Sequence, residues 1–331
     1  MSKFKSGINL PNIGIVGATG LVGRTFLKVI EERRLPFNEI SFYASAKSAG
    51  TKINFLNKDY IVKEATPAIF DNLDIALFSA GGSTSLKLAP FAQKKKCIVI
   101  DNSSAWRMHH DVPLVVPEVN SDELMNHDYI IANPNCSTIQ LVAALKPLAD
   151  KYGIKRVVCS TYQSISGAGQ KGIDKLMNEI QGNSLDEKPI AFSTLFHSFD
   201  DGEVFTNEEI KMINETRKIL NLPDLKIAVT CVRVPTLGGH CESVNIELQN
   251  EFEIFDVRRL FANTPGIVLM DSPDKEIYPT PSITNNTDPV YVGRIRRDAT
   301  VNNGLYLWVV ADNVRKGAAT NAVQIAEKLI G

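Results

Sequence analysis

The stretch Ile13-Gly-Ile-Val16-Gly17-Ala-Thr-Gly20-Leu-Val-Gly23 decides the fold of this chain. Its first four residues are β-prone, and an amphipathic helix follows the glycines to about Arg33. Glycines at such a corner let the backbone turn and approach a pyrophosphate, which rests on the helix N-terminus. The pattern could mark only a tight turn, but the strand and helix around it favour a dinucleotide-binding unit. We expect the cofactor contacts at Gly17, Ala18, Thr19, Gly20, Leu21, Val22 and Gly23.

The second predicted strand, Ile40–Ala44, gives a clue to the nucleotide. Folds that bind NAD usually end this strand with an acidic residue that accepts from the ribose 2′-hydroxyl. This chain instead has Ser45, Lys47 and Ser48, which offer hydroxyls and a cation that suit a 2′-phosphate. The sequence therefore favours NADP(H) over NAD, although such residues are also common in a solvated loop.

Strands continue to alternate with helices along the first half of the chain. Apolar runs at Ile75–Ser79 and Ile98–Asp101 flank a helix that opens just after Gly81. This alternation predicts an α/β fold, a Rossmann-type doubly wound parallel sheet, over residues 1–134. Because ligands collect where parallel strands end, we expect Ser79 and Gly81 to line the cofactor groove.

A second corner, Asn133-Pro134-Asn135-Cys136-Ser137-Thr138, follows a short apolar run and precedes a run with helical spacing. Pro134 disfavours helix at the residue before it, and Asn135 or Ser137 can cap the helix that follows. Cys136 then lies where backbone N–H groups and the helix dipole favour a thiolate. The position predicts a nucleophile, and the alternative is a small buried cysteine of the core.

The composition argues against several classes of protein. The 331 residues suffice for two domains, and 44% hydrophobic with 22% charged residues is ordinary for a globular protein. A formal net charge of -1 indicates neither a nucleic-acid nor a membrane partner, and no apolar run approaches membrane-spanning length. Five cysteines, odd in number and without ligand spacing, predict a cytoplasmic protein with no metal and no disulfide frame.

Two strand ends in the second half carry further candidates. Gln163 ends a β-prone run, and its amide could orient a substrate carbonyl, with the small Ser166 and Gly167 just beyond it. Arg233 ends a later β-prone stretch, and its planar guanidinium group suits a carboxylate. His240 follows two glycines and would serve as a base if the corner cysteine needs one. Taken alone, Gln163 could also be a surface glutamine near a turn, and one histidine among five is weak evidence for a base.

A predicted helix start supplies another pair. Thr206 and Glu209 form a capping box, which gives Glu209 a structural role and leaves Glu208 free. Lys211 lies on the same helix face as Glu208 at i+3, where an ordinary surface ion pair is the alternative.

The remaining elements predict an α+β second domain over residues 135–316. Strands at 290–297 and 304–311 indicate a mostly antiparallel sheet, and a last helix, within 317–331, is expected to pack back on the first domain. Residues 182–202 lack clear periodicity and could be a long excursion or a contact arm.

In order and over nearly the whole chain, these motifs resemble those of the aspartate-semialdehyde dehydrogenase family. The resemblance is carried by Gly17–Gly23, Asn133–Thr138, Gln163 with Ser166–Gly169, Glu208–Lys211, Arg233–His240 and Gly317–Ile325. It implies that NADPH reduces L-4-aspartyl phosphate to L-aspartate 4-semialdehyde and phosphate through a cysteine thioester. That reaction belongs to the aspartate pathway to lysine, threonine and methionine.

The resemblance also implies a role for each matched residue. Cys136 would be the nucleophile and His240 the acid/base group, with Asn135 and Gln163 positioning groups near the thiol. Arg233 would bind the substrate carboxylate and Glu208 its amino group. The phosphate site would use Arg107 and Lys211, and Ser166, Gly167 and Asn321 would lie near the cofactor.

One residue departs from the family pattern, and two rival functions stay open. Many members have Arg where this chain has Lys47, which cannot make a bidentate contact to a 2′-phosphate and leaves some use of NAD open.

N-acetyl-glutamyl-phosphate reductase shares the chemistry but typically has Gly-Cys-Tyr at its nucleophile. A non-enzymatic NADP-binding sensor is the other rival, though it would need none of the catalytic residues. By resemblance the protein is a homodimer, with a tetramer as the alternative.

Overall fold

The computed structural model describes residues 10–183 and 187–331 and divides the chain into two compact units. The first unit runs to Pro134 and includes Ala318–Gly331, and the second spans Asn135–Gly317. No helix in the described ranges is long and apolar enough to cross a membrane.

A parallel sheet forms the centre of the first unit. Its strands and an added hairpin are β1 (Ile13–Val16), β2 (Ile40–Ala44), β3 (Lys52–Phe55), β4 (Lys58–Ile61), β5 (Lys63–Glu64), β6 (Ile75–Phe78), β7 (Ile98–Asp101) and β8 (Ile130–Ala132). The six-stranded sheet has the order β5-β2-β1-β6-β7-β8, and β3 pairs with β4 separately. The helices between them are α1 (Leu21–Arg33), α2 (Gly82–Lys94) and α3 (Pro117–Asn120). The predicted doubly wound α/β fold is confirmed.

A mixed sheet forms the second unit. Its strands are β9 (Ile154–Gln163), β10 (Leu195–Phe196), β11 (Lys226–Arg233), β12 (His240–Leu248), β13 (Ile267–Leu269), β14 (Val290–Asp298) and β15 (Gly304–Ala311). Their order is β10-β11-β9-β12-β15-β14-β13. The pairings of β11 with β9 and of β13 with β14 are parallel and the others antiparallel, so the mostly antiparallel prediction is also confirmed.

One helix, α4 (Cys136–Tyr152), lies at the centre of the second unit and is buried over most of its length. Leu141, Leu145 and Leu148 share a core cluster with Val157 and Val244 of the sheet. The other helices are α5 (Gln170–Ile180), α6 (Asn207–Leu220), α7 (Ile254–Ala262) and α8 (Pro281–Thr284). Because α4 begins at Cys136 itself, the core packing fixes the position of the predicted nucleophile.

The last helix starts slightly later than the sequence predicts. A π-helical turn over Arg315–Ala319 comes first, and α9 (Thr320–Ile330) continues from it. The Asp312 carboxylate accepts from the N–H groups of Val314 and Arg315 and so begins this turn. Within the first unit, α9 packs on α1, where Arg33 and Glu327 form an ion pair of 2.7 Å.

Short 3-10 turns complete the described fold at Ala46–Ser48, Pro67–Asn72, Ser121–Asn126, Ile165–Ala168 and Pro273–Lys275. Of the aperiodic segment 182–202, residues 184–186 lie outside the described ranges. Its described part contributes β10, which pairs with β11 at the edge of the second sheet.

Candidate active site

The glycine turn after β1 is shaped by two close backbone approaches. Gly17 has φ +91°, and a Cβ there would lie 2.3 Å from the Ser79 carbonyl oxygen. A Cβ at Gly23 would lie 2.1 Å from the Gly17 carbonyl oxygen, so α1 can pack on the turn only with glycine there. The first turn of α1 has neither a capping side chain nor an acidic residue. Its N-terminus is therefore electrostatically suited to a pyrophosphate.

A groove of about 650 Å³ opens beside this turn at the ends of the parallel strands. Of the predicted residues, it is lined by Gly17, Thr19, Gly20, Ser45 and Ser79. Ala18 and Gly23 are buried behind it, whereas Leu21, Val22, Lys47, Ser48 and Gly81 are not part of its lining. Sequence reasoning missed Glu64, Ser83, Thr84 and Lys87, which do line it. Polar residues on a short edge strand and on a helix face carry no signal that separates them from a solvated surface.

Arg107 and Asn321 belong to a buried polar network of the first unit. Arg107 donates from Nε to the Asn133 carbonyl oxygen and from an Nη to that of Asn102, both at 2.9 Å. Asn321 is fully buried, and its Nδ2 donates to Asn133 Oδ1 at 2.7 Å and to the Val115 carbonyl oxygen at 2.9 Å. Both side chains therefore hold the backbone at Asn133, three residues before the predicted nucleophile.

In the second unit, Asn135 fixes the corner at Cys136 from both sides. Its Oδ1 accepts from the N–H groups of Ser137 and Thr138, which is the cap predicted from the sequence. Its Nδ2 donates to Glu208 at 2.7 Å, and its own N–H donates to Glu215 at 2.7 Å. Cys136 is half-buried as the first residue of α4, the position at which backbone N–H groups favour a negative charge.

Three predicted residues lie side by side on neighbouring strands. Gln163 of β9 pairs directly with Arg233 of β11. On the other side of β9, Cys241 pairs with Tyr162, which puts His240 of β12 level with Gln163. We call His240, Gln163 and Arg233 the upper row. A Cβ at Gly167 would lie 3.0 Å from an Arg233 Nη, a tight contact, and 3.5 Å from His240 Nε2, an ordinary one, so glycine there relieves crowding at Arg233.

His240 is fully buried and held as the neutral imidazole. Burial, and then the charge of Arg233, lower the pKa of His240 to about 3. Its Nδ1 accepts from the Ser164 N–H at 3.0 Å, so the hydrogen of the neutral ring is on Nε2. Ser164 is itself hydrogen-bonded to Ser166 and Asn313, which gives the buried Ser166 a structural partner. The imidazole therefore keeps a fixed orientation with a donor at Nε2.

A charged cluster surrounds Arg233. An Nη of Arg233 donates to His197 Nδ1 at 3.3 Å, and Lys211 forms an ion pair with Glu208 at 3.4 Å. Burial by itself raises the pKa of Glu208, but His197, Lys211 and the amide of Asn135 outweigh it and lower the net value. Glu208 is therefore an anion, next to the guanidinium and ammonium groups.

His197 is the member of this cluster that the sequence did not reveal. Burial lowers the pKa of His197 to about 4, with the charge of Arg233 acting in the same direction. It follows β10 in the aperiodic segment, and only the pairing of Leu195 with Arg233 brings it here. In the described part of the chain, no group of three or more His, Cys, Asp or Glu residues could hold a metal ion.

Comparisons with known proteins identify the same family over nearly the whole chain. Residues 12–127 match the family described as semialdehyde dehydrogenase, NAD binding domain, and residues 145–316 match semialdehyde dehydrogenase, dimerisation domain. The aspartate-semialdehyde dehydrogenase of Aquifex aeolicus (strain VF5) is 51% identical, and the match covers 96% of this chain and 97% of the relative.

Two solved structures are also similar. Aspartate semialdehyde dehydrogenase II from Vibrio cholerae complexed with ASA has a TM-score of 0.92 at 43% identity, covering 98% of this chain and 99% of the other. The Candida albicans aspartate semialdehyde dehydrogenase with NADP has a TM-score of 0.77 at 26% identity, covering 97% and 98%.

Proposed function

The chain belongs to the aspartate-semialdehyde dehydrogenase family and has that activity in the aspartate pathway, and from this premise we propose how its own residues perform the reaction. Cys136 is the nucleophile, His240 the acid/base group, and NADPH the reductant. The observation that carries the proposal is the position of Cys136 as the first residue of α4, with its N-cap Asn135 bound to Glu208.

The first step is attack by the Cys136 thiolate on the acyl phosphate of L-4-aspartyl phosphate. A C–S bond forms while the acyl C–O bond to phosphate breaks, so phosphate leaves with that electron pair and a thioester remains. The α4 N-terminus and the positive charge of Arg233, which interacts electrostatically with Cys136, support a thiolate at this position. A thiolate also leaves more readily than an alkoxide in the last step.

The second step converts the thioester to the aldehyde. The chemistry that NADPH supplies when bound is a hydride for the carbonyl carbon. His240 serves as the acid/base group, with its Nε2–H donating to the carbonyl oxygen as negative charge develops. Asn135 and Gln163 orient the carbonyl. When the C–S bond breaks, Cys136 recovers its thiolate and L-aspartate 4-semialdehyde is released.

Substrate binding is assigned to the charged residues. Arg233 takes the substrate carboxylate, since a guanidinium suits a planar bidentate partner. Glu208 takes the amino group, which its lowered pKa supports because the residue stays anionic near neutrality. Lys211 takes phosphate, and so by resemblance does Arg107, although two of the Arg107 nitrogens already bond carbonyl groups.

The cofactor assignment is NADP(H), and its fit rests on the groove of the first unit. The glycine turn leaves room for the pyrophosphate at α1, and Ser45 lines the groove where the second strand ends. The Candida albicans relative carries NADP. A homodimer is proposed because residues 145–316 match a dimerisation domain, with a tetramer as the alternative. The free cysteines support a reducing, cytoplasmic setting.

The test is phosphate-dependent reduction of NADP+ with L-aspartate semialdehyde, followed by the absorbance of the reduced nicotinamide, for wild type and Cys136→Ser. The variant should lose turnover and still bind NADPH. Cys97→Ser, which changes a buried cysteine of the first unit, is the matched control and should keep its activity. Turnover by Cys136→Ser at the wild-type rate would remove the nucleophile assignment, and faster reaction with NAD+ would remove the cofactor assignment.

A further inference from the structure

Beneath the upper row lies a second set of polar residues with no assigned role. Glu242 of β12 pairs with Thr161 of β9, and Thr161 pairs with Cys231 of β11. Each lies two residues along its strand from a member of the upper row, so it points to the same side of the sheet. All three are fully buried. We call Glu242, Thr161 and Cys231 the lower row.

Glu242 is the anomalous member of the lower row. Its carboxyl is completely buried, and neither oxygen has a hydrogen-bond partner of good geometry in the described part of the chain. Its titratable neighbours are the thiols of Cys159, Cys231 and Cys241, and no described cation offsets its charge. Burial raises the pKa of Glu242 well above its usual range. An ionised carboxylate in such a place would be strongly unfavourable.

Gln140 is the one described side chain that acts on this carboxyl by hydrogen bonding, and its contact lowers the pKa of Glu242 by less than burial raises it. It lies one turn after Cys136 on α4 and is fully buried. Its Nε2 donates to the main-chain carbonyl oxygen of His240 at 3.3 Å, while its Oε1 has no partner. Gln140 therefore connects the helix that begins at the nucleophile with the strand that begins at the acid/base group.

One proton on Glu242 pairs the amide oxygen of Gln140 with one of the two Glu242 oxygens. An amide oxygen and a carboxylate oxygen are both acceptors, so Gln140 Oε1 and an ionised Glu242 cannot satisfy each other. A protonated carboxyl has one O–H donor, which Gln140 Oε1 can accept. Gln140 would then use its Nε2 for His240 and its Oε1 for Glu242.

We propose that Glu242 is held as the neutral carboxylic acid, that it donates its O–H to Gln140, and that the pair positions Cys136 relative to His240. Glu242 and Gln140 are positioning residues, because they act on Cys136 and His240 and not on the substrate. The inference rests on the proposed roles of Cys136 and His240. It predicts that loss of the pair slows the chemical step and leaves the binding of substrate and cofactor unchanged.

Two replacements at Glu242 test whether the side chain acts as a neutral hydrogen-bond donor. One keeps a neutral donor without a carboxyl group, and the other keeps only the volume of the side chain. Glu242→Gln keeps size and can still donate, so kcat should stay within about threefold of wild type. Glu242→Met keeps the volume but leaves Gln140 unpaired, so kcat should fall at least about tenfold, with KM and NADPH affinity unchanged. Ile246→Met, on the same face of β12 and further from His240, is the control for core damage and should keep kcat.

Infrared difference spectroscopy of wild type against Glu242→Gln tests the proton directly. The carbonyl stretch of a protonated carboxylic acid should be present at neutral pH in wild type and missing in the variant. Absence of that band in wild type would overturn the proposal, and so would equal losses in Glu242→Gln and Glu242→Met or full kcat in Glu242→Met. If Glu242→Met does not fold, the infrared band of wild type and the kcat of Glu242→Gln still test whether Glu242 is a neutral acid. The band is independent of whether Cys136→Ser is active, so the two proposals can fail separately.

Discussion

A single side chain, Asn135, serves both structure and chemistry. Its carbonyl oxygen caps α4, and its amide nitrogen holds Glu208 at 2.7 Å. A helix cap contributes about 1 kcal/mol to stability. The amide nitrogen of the capping side chain therefore places an anion near Cys136, where the proposed mechanism needs a partner for the substrate amino group. In the proposed mechanism, stability and substrate recognition thus share one residue.

The buried histidines give the first prediction, a loss of stability on acidification. Burial lowers the folded-state pKa of His240 to about 3 and that of His197 to about 4, whereas the unfolded value is about 6.5. Below about pH 6.5 the unfolded chain therefore binds protons that the folded chain does not, so stability falls as pH falls. The slope approaches about 1.4 kcal/mol per pH unit for each histidine.

His197→Asn should remove one histidine's share of that slope in urea unfolding measured at several pH values. His110→Asn is the control, because its ring is fully exposed and its ion pair with Asp111 lies at the surface. An unchanged slope in His197→Asn would contradict the prediction.

The second prediction concerns the cofactor preference. Glu64 of β5 pairs with Ala44 at the end of β2, and it lines the same groove as Ser45. Lys47 is exposed and not part of that lining. Since a carboxylate repels a 2′-phosphate, Glu64→Gln should raise the ratio of kcat/KM for NADP+ over NAD+ about fivefold, an effect of about 1 kcal/mol. Lys47→Ala should lower the same ratio.

Steady-state kinetics with NADP+ and NAD+ measure the ratio of kcat/KM values, and a lower ratio in Glu64→Gln than in wild type would refute the prediction.

At the scale of elements, the parts predicted from the sequence are those that local chemistry decides. The glycine turn, the Asn135 cap and the Thr206–Glu209 capping box all lie within a few residues of the element they begin. The positions of Glu64 beside the groove of the first unit, and of His197 and the lower row beside the upper row of the second, could not be predicted, because only strand register sets them. Register is a property of pairing between distant segments.

The third prediction tests the glycine turn as an element. Gly17 has a positive φ, and a Cβ there would clash with the Ser79 carbonyl, so Gly17→Ala should destabilise the first unit by several kcal/mol, roughly a strain of 1–2 plus a steric term. Gly20→Ala is the matched control, since its φ is -75° and its Cβ would lie 3.4 Å from the nearest described atom. Thermal unfolding and NADPH titration compare the two. Equal stability in the two variants would show that the close approach at Gly17 carries no constraint.

At the scale of the whole molecule, the second unit carries apolar surface that a lone chain leaves in water. Phe192 is 92% and Val204 83% exposed, and Phe196, Phe199 and Phe205 in the same segment, residues 192–205, are also exposed. Large exposed apolar patches mark interaction sites in folded proteins. The segment lies within residues 145–316, which match the family's dimerisation domain. The covered surface in the proposed homodimer is thus expected to include these side chains.

The fourth prediction follows for the oligomer. Wild type should have about twice the 36.4 kDa mass of one chain in sedimentation or light scattering. The double variant Phe192→Ser, Val204→Ser should shift the dimer–monomer midpoint to at least about tenfold higher concentration, because each buried apolar side chain contributes about 1.5–3 kcal/mol. Met125→Ser, which removes an exposed apolar side chain of the first unit, is the control and should leave the midpoint in place. A double variant that dimerises like wild type would mean that the copies meet without the segment 192–205.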